Sequence, residues 1–158
     1  MNSQEYEQMT TLYLDTVYRV ALNGCRTLAD AEDVTQNTFI KLWQYQESFE
    51  DLEHVRKWLI RVAVNECHNL WRAPWIKKTA YLEDVKEEPS FSMKERSELY
   101  YAVLELPIKY RQVVHLYYFE EYSVKEIAEL MKMSETAVQT RLLRAREKLK
   151  EALKGAWK

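Results

Sequence analysis

The sequence predicts an all-α chain. Apolar residues make up 47% of it, enough to build a core. Two glycines and three prolines in 158 residues are too few for the turns of an all-β protein. Apolar side chains also recur at three- and four-residue spacings over long stretches, the period of a helix with one buried face. This length allows one domain or two small ones.

The first helix is expected over residues 4–23, with Leu12, Val17, Val20 and Ala21 as its apolar surface and Tyr6, Tyr13 and Tyr18 at the margins. Ser3 is placed to cap it, and Gly24 to close it in left-handed geometry. A second helix starts at 27–30 and runs to about Tyr45, with Asp30, Glu32 and Asp33 at the positive end of its dipole. Val34, Thr38 and Leu42 form its inner stripe, flanked by Phe39 and Trp43, while Asp33, Gln36, Asn37, Lys41 and Gln44 point outward.

QESFEDLE (46–53) breaks the periodicity and reads as a loop. The third helix follows to Trp71, its core side formed by Val55, Leu59, Val62, Ala63, Cys67 and Leu70. Arg56, Lys57, Trp58, Arg61, Asn65 and His68 lie on or near the other face. Trp58 has two readings, a core residue or a stacking platform for nucleic-acid bases. Pro74 stops the helix. The mixed basic, acidic and Pro-Ser composition of 73–92 then predicts a linker between two small helical domains, 1–72 and 93–158. Ser90 or Ser92 caps a fourth helix reaching about Glu105, and a fifth covers 108–120 with Val113, Val114, Leu116, Tyr117 and Phe119.

The last stretch, Ser123 to Leu149, carries the sharpest signal. Ser123 and Glu126 have the spacing of a capping box, and Ile127, Ala128 and Met131 share one face. Lys132-Met133 is the turn, and Ser134 caps a second helix whose Val138, Leu142, Ala145 and Leu149 must face a core. Thr136, Gln139, Thr140, Arg144 and Lys148 take the opposite side, with Arg141 and Arg146 at the flanks. Two short helices, a tight turn and an outward polar and basic face describe a helix-turn-helix able to enter the DNA major groove.

The net charge of −2 conceals two basic islands, +5 over residues 56–80 and +5 over 132–158, set against −7 over 1–55. Two separate polyanion contacts follow as a hypothesis. His54, His68 and His115 make no metal pattern, and neither a phosphate-binding glycine loop nor a nucleophile–base pair is present. The expectation is a protein without a catalytic site, cofactor or metal. The acidic, polar start MNSQEYEQ and the lack of a long apolar run predict a cytoplasmic protein with no membrane insertion. Cys25 and Cys67, far apart in the chain, are expected as small core residues.

DAEDVTQNTFIKLW (30–43), WLIRVAVNECHNLWR (58–72), LPIKYRQVVHLYYFEEYSVKEIAELM (106–131) and SETAVQTRLLRAREKL (134–149) together resemble the extracytoplasmic-function (group IV) sigma factors of bacterial RNA polymerase. The resemblance spans roughly 140 residues, with both halves in order. It implies a specificity subunit that directs core polymerase to promoters and promotes their melting. Residues 1–72 would be region 2, binding the clamp helices of the polymerase's largest subunit and the −10 element. Residues 93–158 would be region 4, reading the −35 element. Carried onto this chain, it assigns polymerase binding to Asp30, Asp33, Gln36 and Asn37. Arg56, Lys57, Trp58, Arg61 and Asn65 fall to the −10 element, and Ser134, Glu135, Thr136, Gln139, Thr140, Arg141 and Arg144 to the −35 element. Arg141 or Arg144 would pair with a guanine edge and Gln139 with adenine. An anti-sigma protein is a further implied partner.

Lys132 stands where the family usually has glycine, and Thr136-Ala137-Val138 where it favours Gly-Thr-Val. A stand-alone dimeric DNA-binding regulator and a protein-only helical adaptor are the rival readings. The first leaves the acidic N-terminal helix and the 46–53 loop without a role and has no visible heptad dimerisation seam, and the second leaves the basic faces merely solvated.

Overall fold

The computed structural model describes residues 1–72 and 98–154, and these are helical with short connections. The linker expected over 73–92, its serine caps and the expected helical start at 93–97 lie outside the described residues. The chain divides into two compact units, Met1–Tyr81 and Leu82–Lys158.

In the first unit α1 (Ser3–Gly24), α2 (Leu28–Gln44) and α3 (Leu52–Arg72) each pack against the other two. A side-chain oxygen meets the free amides at the start of each. Asn2, rather than Ser3, caps α1 by accepting from Glu5 N–H at 2.8 Å. Thr27 accepts from Asp30 N–H at 3.0 Å, and Asp51 from His54 N–H at 2.8 Å. Gly24 closes α1 differently from the expectation. It remains helical, Cys25 follows with φ −121°, and the Trp71 indole donates to the Gly24 carbonyl at 3.0 Å. A side chain from α3 therefore satisfies one of the orphan carbonyls at the end of α1.

Val17, Tyr18, Val20 and Ala21 meet Ala31, Val34, Thr38 and Leu42 and the α3 residues Val55, Leu59, Ile60, Ala63, Val64 and Cys67 in one core. Full burial of side chains such as Leu42, Leu59 and Ile60 contributes about 1.5–3 kcal/mol each. Thr35 and Thr38 enter this core at little cost, since each hydroxyl donates to the carbonyl four residues back at 2.7 Å. Several boundaries differ from the sequence expectation. Tyr18 is fully buried rather than marginal, Leu12 is 48% exposed, and Ile60 and Val64 are buried while Val62 is only half-buried. Because α3 touches both neighbours, its buried arc is wider than one stripe.

The second unit contains α4 (Glu98–Leu104), α5 (Ile108–Val114), α6 (Val124–Met131) and α7 (Glu135–Leu153). Buried Arg111 donates to the Leu104 carbonyl at 2.8 Å and so finishes α4. The fifth helix is not α-helical to residue 120 as expected. From His115 to Phe119 it widens into a π-helical turn, with Glu120 N–H reaching the His115 carbonyl at 3.1 Å. The widening sets buried His115 against Glu120, Nε2 to Oε2 2.9 Å, with the Phe119 ring stacked on the imidazole. Glu121, at φ 62°, turns the chain into the next helix.

Candidate nucleic-acid interface

The α6–α7 pair is built by its caps. Ser123 Oγ accepts from Glu126 N–H at 3.1 Å while Glu126 Oε1 accepts from Ser123 N–H at 3.0 Å, the reciprocal box its spacing predicts. Lys132 adopts left-handed geometry, φ 57° and ψ 49°, and Met133 N–H closes the turn on the Ala128 carbonyl at 3.0 Å. The position therefore does need positive φ, and lysine occupies it at a cost on the order of 1 kcal/mol. Ser134 then accepts from Ala137 N–H at 3.0 Å and starts α7.

Val138, Leu142, Ala145 and Leu149 are all buried, which orients the rest of α7. Ser134, Glu135, Thr136, Gln139 and Arg144 are exposed, and Thr140 and Arg141 half-buried. Leu143, 55% exposed, stands among them and was not singled out from sequence. Its helical position, four residues after Gln139 and three after Thr140, places it on the outer face. An apolar side chain there is of the kind that meets a thymine methyl.

One flank of α7 is strongly basic, and a residue from α5 completes it. Arg141 donates to the Lys109 carbonyl at 3.4 Å, and Lys109 and Lys148 lie 5.1 Å and 5.8 Å from the Tyr110 ring centroid. Burial alone would raise the Tyr110 phenol, but Lys109 and Arg144, both also hydrogen-bonded to it, bring it below its ordinary value. A stabilised oxygen beside these cations marks a local positive potential suited to phosphate. Lys109 and Tyr110 were invisible as site residues because they lie far along the chain from the helix they join, Lys109 being 32 positions from Arg141. Arg146 takes the other flank, where it donates to the Tyr118 hydroxyl and lies near the Tyr117 ring.

In the first unit, Trp58, Arg61 and Asn65 recur at helical spacing on α3, with exposed Lys57 beside them. Arg56 does not join this stripe. Two residues before Trp58, at 100° per residue, it sits about 160° away around the helix. There it pairs with Glu53 at 2.9 Å and lies close enough to Tyr13 to lower its phenol against the stronger upward push of burial and Glu53. The five residues grouped from sequence thus divide four to one.

Trp58 is half-buried, neither enclosed in the core nor fully exposed. Its ring centroid lies 4.8 Å from Tyr45 and 5.8 Å from Phe49, and Phe49 also packs on His54 at 5.1 Å. The stretch 46–51 is accordingly a built loop, and the expected last two loop residues, Leu52 and Glu53, already belong to α3. Glu50 N–H donates to His54 Nδ1 at 3.1 Å, and the Tyr45 hydroxyl to Glu47 at 3.0 Å, a bond that raises the phenol. The product is an aromatic wall beside Arg61 and Asn65.

On α2, Asp33, Gln36 and Asn37 are exposed and Asp30 half-buried at the capped first turn. Ile40 and Trp43 follow on the exposed side, 49% and 53% accessible, with Trp43 edge-on to Tyr6 at 5.0 Å. Acids, amides and two apolar side chains on one surface fit a protein partner better than DNA. Among the described residues no group of His, Cys, Asp and Glu is placed to hold a metal ion, and no helix is long and apolar enough to cross a membrane.

Two family models match most of the chain, Sigma-70 region 2 over residues 9–75 and Sigma-70, region 4 over residues 96–149. The ECF RNA polymerase sigma factor SigM of Bacillus subtilis is 28% identical over 151 residues, covering 91% of this chain and 92% of that protein. SigW of the same organism, also an ECF RNA polymerase sigma factor, is 27% identical over 169 residues, covering 94% and 89%. The fold matches that of the sigma factor RpoE in complex with the anti-sigma factor NepR from Bartonella quintana, with TM-score 0.67 and 22% identity over 96% of this chain and 98% of that one. It also matches CnrH in complex with the cytosolic domain of CnrY, TM-score 0.61 and 25% identity over 98% and 90%.

Proposed function

The chain belongs to the extracytoplasmic-function sigma factors of RNA polymerase, and on that premise we propose how its two units divide promoter recognition. As a sigma factor it directs core polymerase to specific promoters. In our reading residues 1–72 act as region 2, 93–158 as region 4, and 73–92 as the linker. The protein works in the cytoplasm, where the polymerase and its template are, and contributes no catalytic residue of its own.

The observation that carries this division is the capped α6–turn–α7 pair, which presents an outward polar face and a basic flank. Thr136, Gln139, Thr140, Leu143 and Arg144 enter the major groove of the −35 element. Ser134 and Glu135 lie at the entry, with the Ser134 oxygen already engaged as a cap. Arg141, Lys109 and Lys148 hold the adjacent phosphates, which fixes register without reading sequence. Either Arg141 or Arg144 serves as the guanine reader, and exposure favours Arg144.

At the −10 element Lys57 and Arg61 hold the backbone, Asn65 reads a base edge, and Trp58 with Phe49 and Tyr45 walls the unstacked base. Arg56 has a positioning role in this scheme, tied to Glu53. Asp30, Asp33, Gln36 and Asn37, joined by Ile40 and Trp43, meet the clamp helices of the polymerase's largest subunit. An anti-sigma protein that covers these surfaces would hold the chain inactive.

Core polymerase supplemented with this chain should produce run-off transcripts from a subset of genomic promoters and none without it. Tight dimeric binding to a palindrome without polymerase, and no promoter-dependent transcript, would establish the stand-alone regulator instead. Binding to protein alone would establish the adaptor.

A further inference from the structure

The first unit holds two thiols that promoter recognition does not use. Cys25 and Cys67, 42 positions apart, are both reduced, 1% and 0% exposed, and bring their Sγ atoms within 3.6 Å. A disulfide needs about 2.05 Å, so roughly 1.5 Å separates the pair from bonding distance, within reach of small side-chain rotations. The two positions differ in how far they can yield. Cys67 lies well inside α3, whereas Cys25 is in extended backbone between the end of α1 and the Thr27 cap of α2. A thiol alone in an apolar core is inert for want of a partner; here the partner is already in contact.

We propose that Cys25 and Cys67 form an oxidisable dithiol whose substrate is hydrogen peroxide, reached when the short 25–27 connection opens. The Cys25 sulfur attacks one peroxide oxygen, the O–O bond breaks, and a sulfenic acid forms with release of one water. The Cys67 sulfur then attacks the Cys25 sulfur, the S–OH bond breaks, the S–S bond forms, and the departing hydroxide leaves as a second water with the Cys67 thiol proton. The two sulfurs together lose two electrons, and the two peroxide oxygens gain them. The bond ties the α1–α2 turn, two residues before the cap of α2, to the C-terminal half of the unit's third helix. Intracellular disulfides of this kind are characteristically transient and redox-sensing.

The test uses the full chain and needs neither polymerase nor promoter, so its outcome is separate from that of the functional reading above. Reduced protein is treated with hydrogen peroxide, alkylated in denaturant, digested without reductant and weighed. The expected product is a monomeric chain that yields one cross-linked peptide containing Cys25 and Cys67, two hydrogens lighter than its parts. Dithiothreitol should reverse it, and the oxidised chain should unfold at a higher temperature than the reduced one. Cys25→Ala and Cys67→Ala should each lack the cross-link. The wild-type mapping stands even if a variant folds poorly. Two thiols that stay alkylatable, sulfinic acid at either position without the cross-link, or a link between two chains would each overturn the proposal.

Discussion

The outward faces of α3 and α7 are assigned to the same polyanion, yet they are built in opposite ways. The α7 face is open, fixed by local chemistry that comes almost entirely from residues 123–138: a capping box, a left-handed turn and a serine cap. The α3 face is partly roofed, because Tyr45 and Phe49 from the preceding connection pack against Trp58. A helix that reads duplex edges needs side chains standing free in a groove. A site that receives a single unstacked base needs a wall as well. The difference teaches that basic charge at helical spacing does not by itself define an interface; what is packed against it decides which nucleic-acid form it fits.

The comparison breaks most severely if the buried seam under one face is emptied. Ile127 is completely buried beneath the helix-turn-helix, so Ile127→Ala should cost about 2–5 kcal/mol. Differential scanning calorimetry should show the second unit unfolding earlier and the first unit unchanged.

Alkaline pH should strike the other unit. Burial first, then the Glu32 carboxylate and Cys25, push the Tyr18 phenol up to about 12 from 10.0. Below pH 10 the phenol is protonated in folded and unfolded chains alike. Between 10 and 12 the unfolded chain releases the proton and the folded one retains it, so stability falls as pH rises. The loss should be on the order of 2–3 kcal/mol. Denaturant titrations of Tyr18→Phe should lack this dependence, and the second unit should show none of it.

A sharper contrast comes from single contacts on the two faces. Arg144→Ala should weaken holoenzyme binding at the −35 element by about 1–3 kcal/mol and relax preference at one base pair. Asn65→Ala should leave closed-complex affinity nearly intact and reduce the open complex, detected by permanganate footprinting of unstacked thymines. Equal effects of both substitutions on both steps would erase the distinction between the faces.

The smallest effect has the opposite sign. Lys132→Gly relieves a left-handed lysine and should stabilise the second unit by up to about 1 kcal/mol, read as a higher thermal midpoint. Glu121, at φ 62°, offers a parallel test at the other end of the same helix.

Much of this molecule was legible from the chain because its determinants are short-range. The Ser123 and Ser134 caps, the α2 stripe Val34, Thr38 and Leu42, and the α7 stripe Val138, Leu142, Ala145 and Leu149 involve residues within one or two helical turns. The outward position of Asp33, Gln36, Asn37 and Gln139 follows from the same periodicity. Arg56 stands about 160° around α3 from Trp58, an angle that its position two residues earlier already gives.

Other features had no local signature. The π-helical turn at His115 depends on bonds of i to i−5 that no residue pattern announces. Trp71 closing α1, Lys109 and Tyr110 joining the basic flank of α7, and the contact of Cys25 with Cys67 bring together residues 32 to 47 positions apart. The sequence by itself determined the helical class and the helix-turn-helix with its two serine caps, since each rests on spacing along one element, while the family rests on the resemblance of four stretches spread over both halves. Only the tertiary structure decided which aromatic rings roof α3, which cations surround Tyr110 and which thiols touch. Those choices depend on where distant helices come to rest once their apolar faces are buried, and spacing along the chain carries no information about that distance.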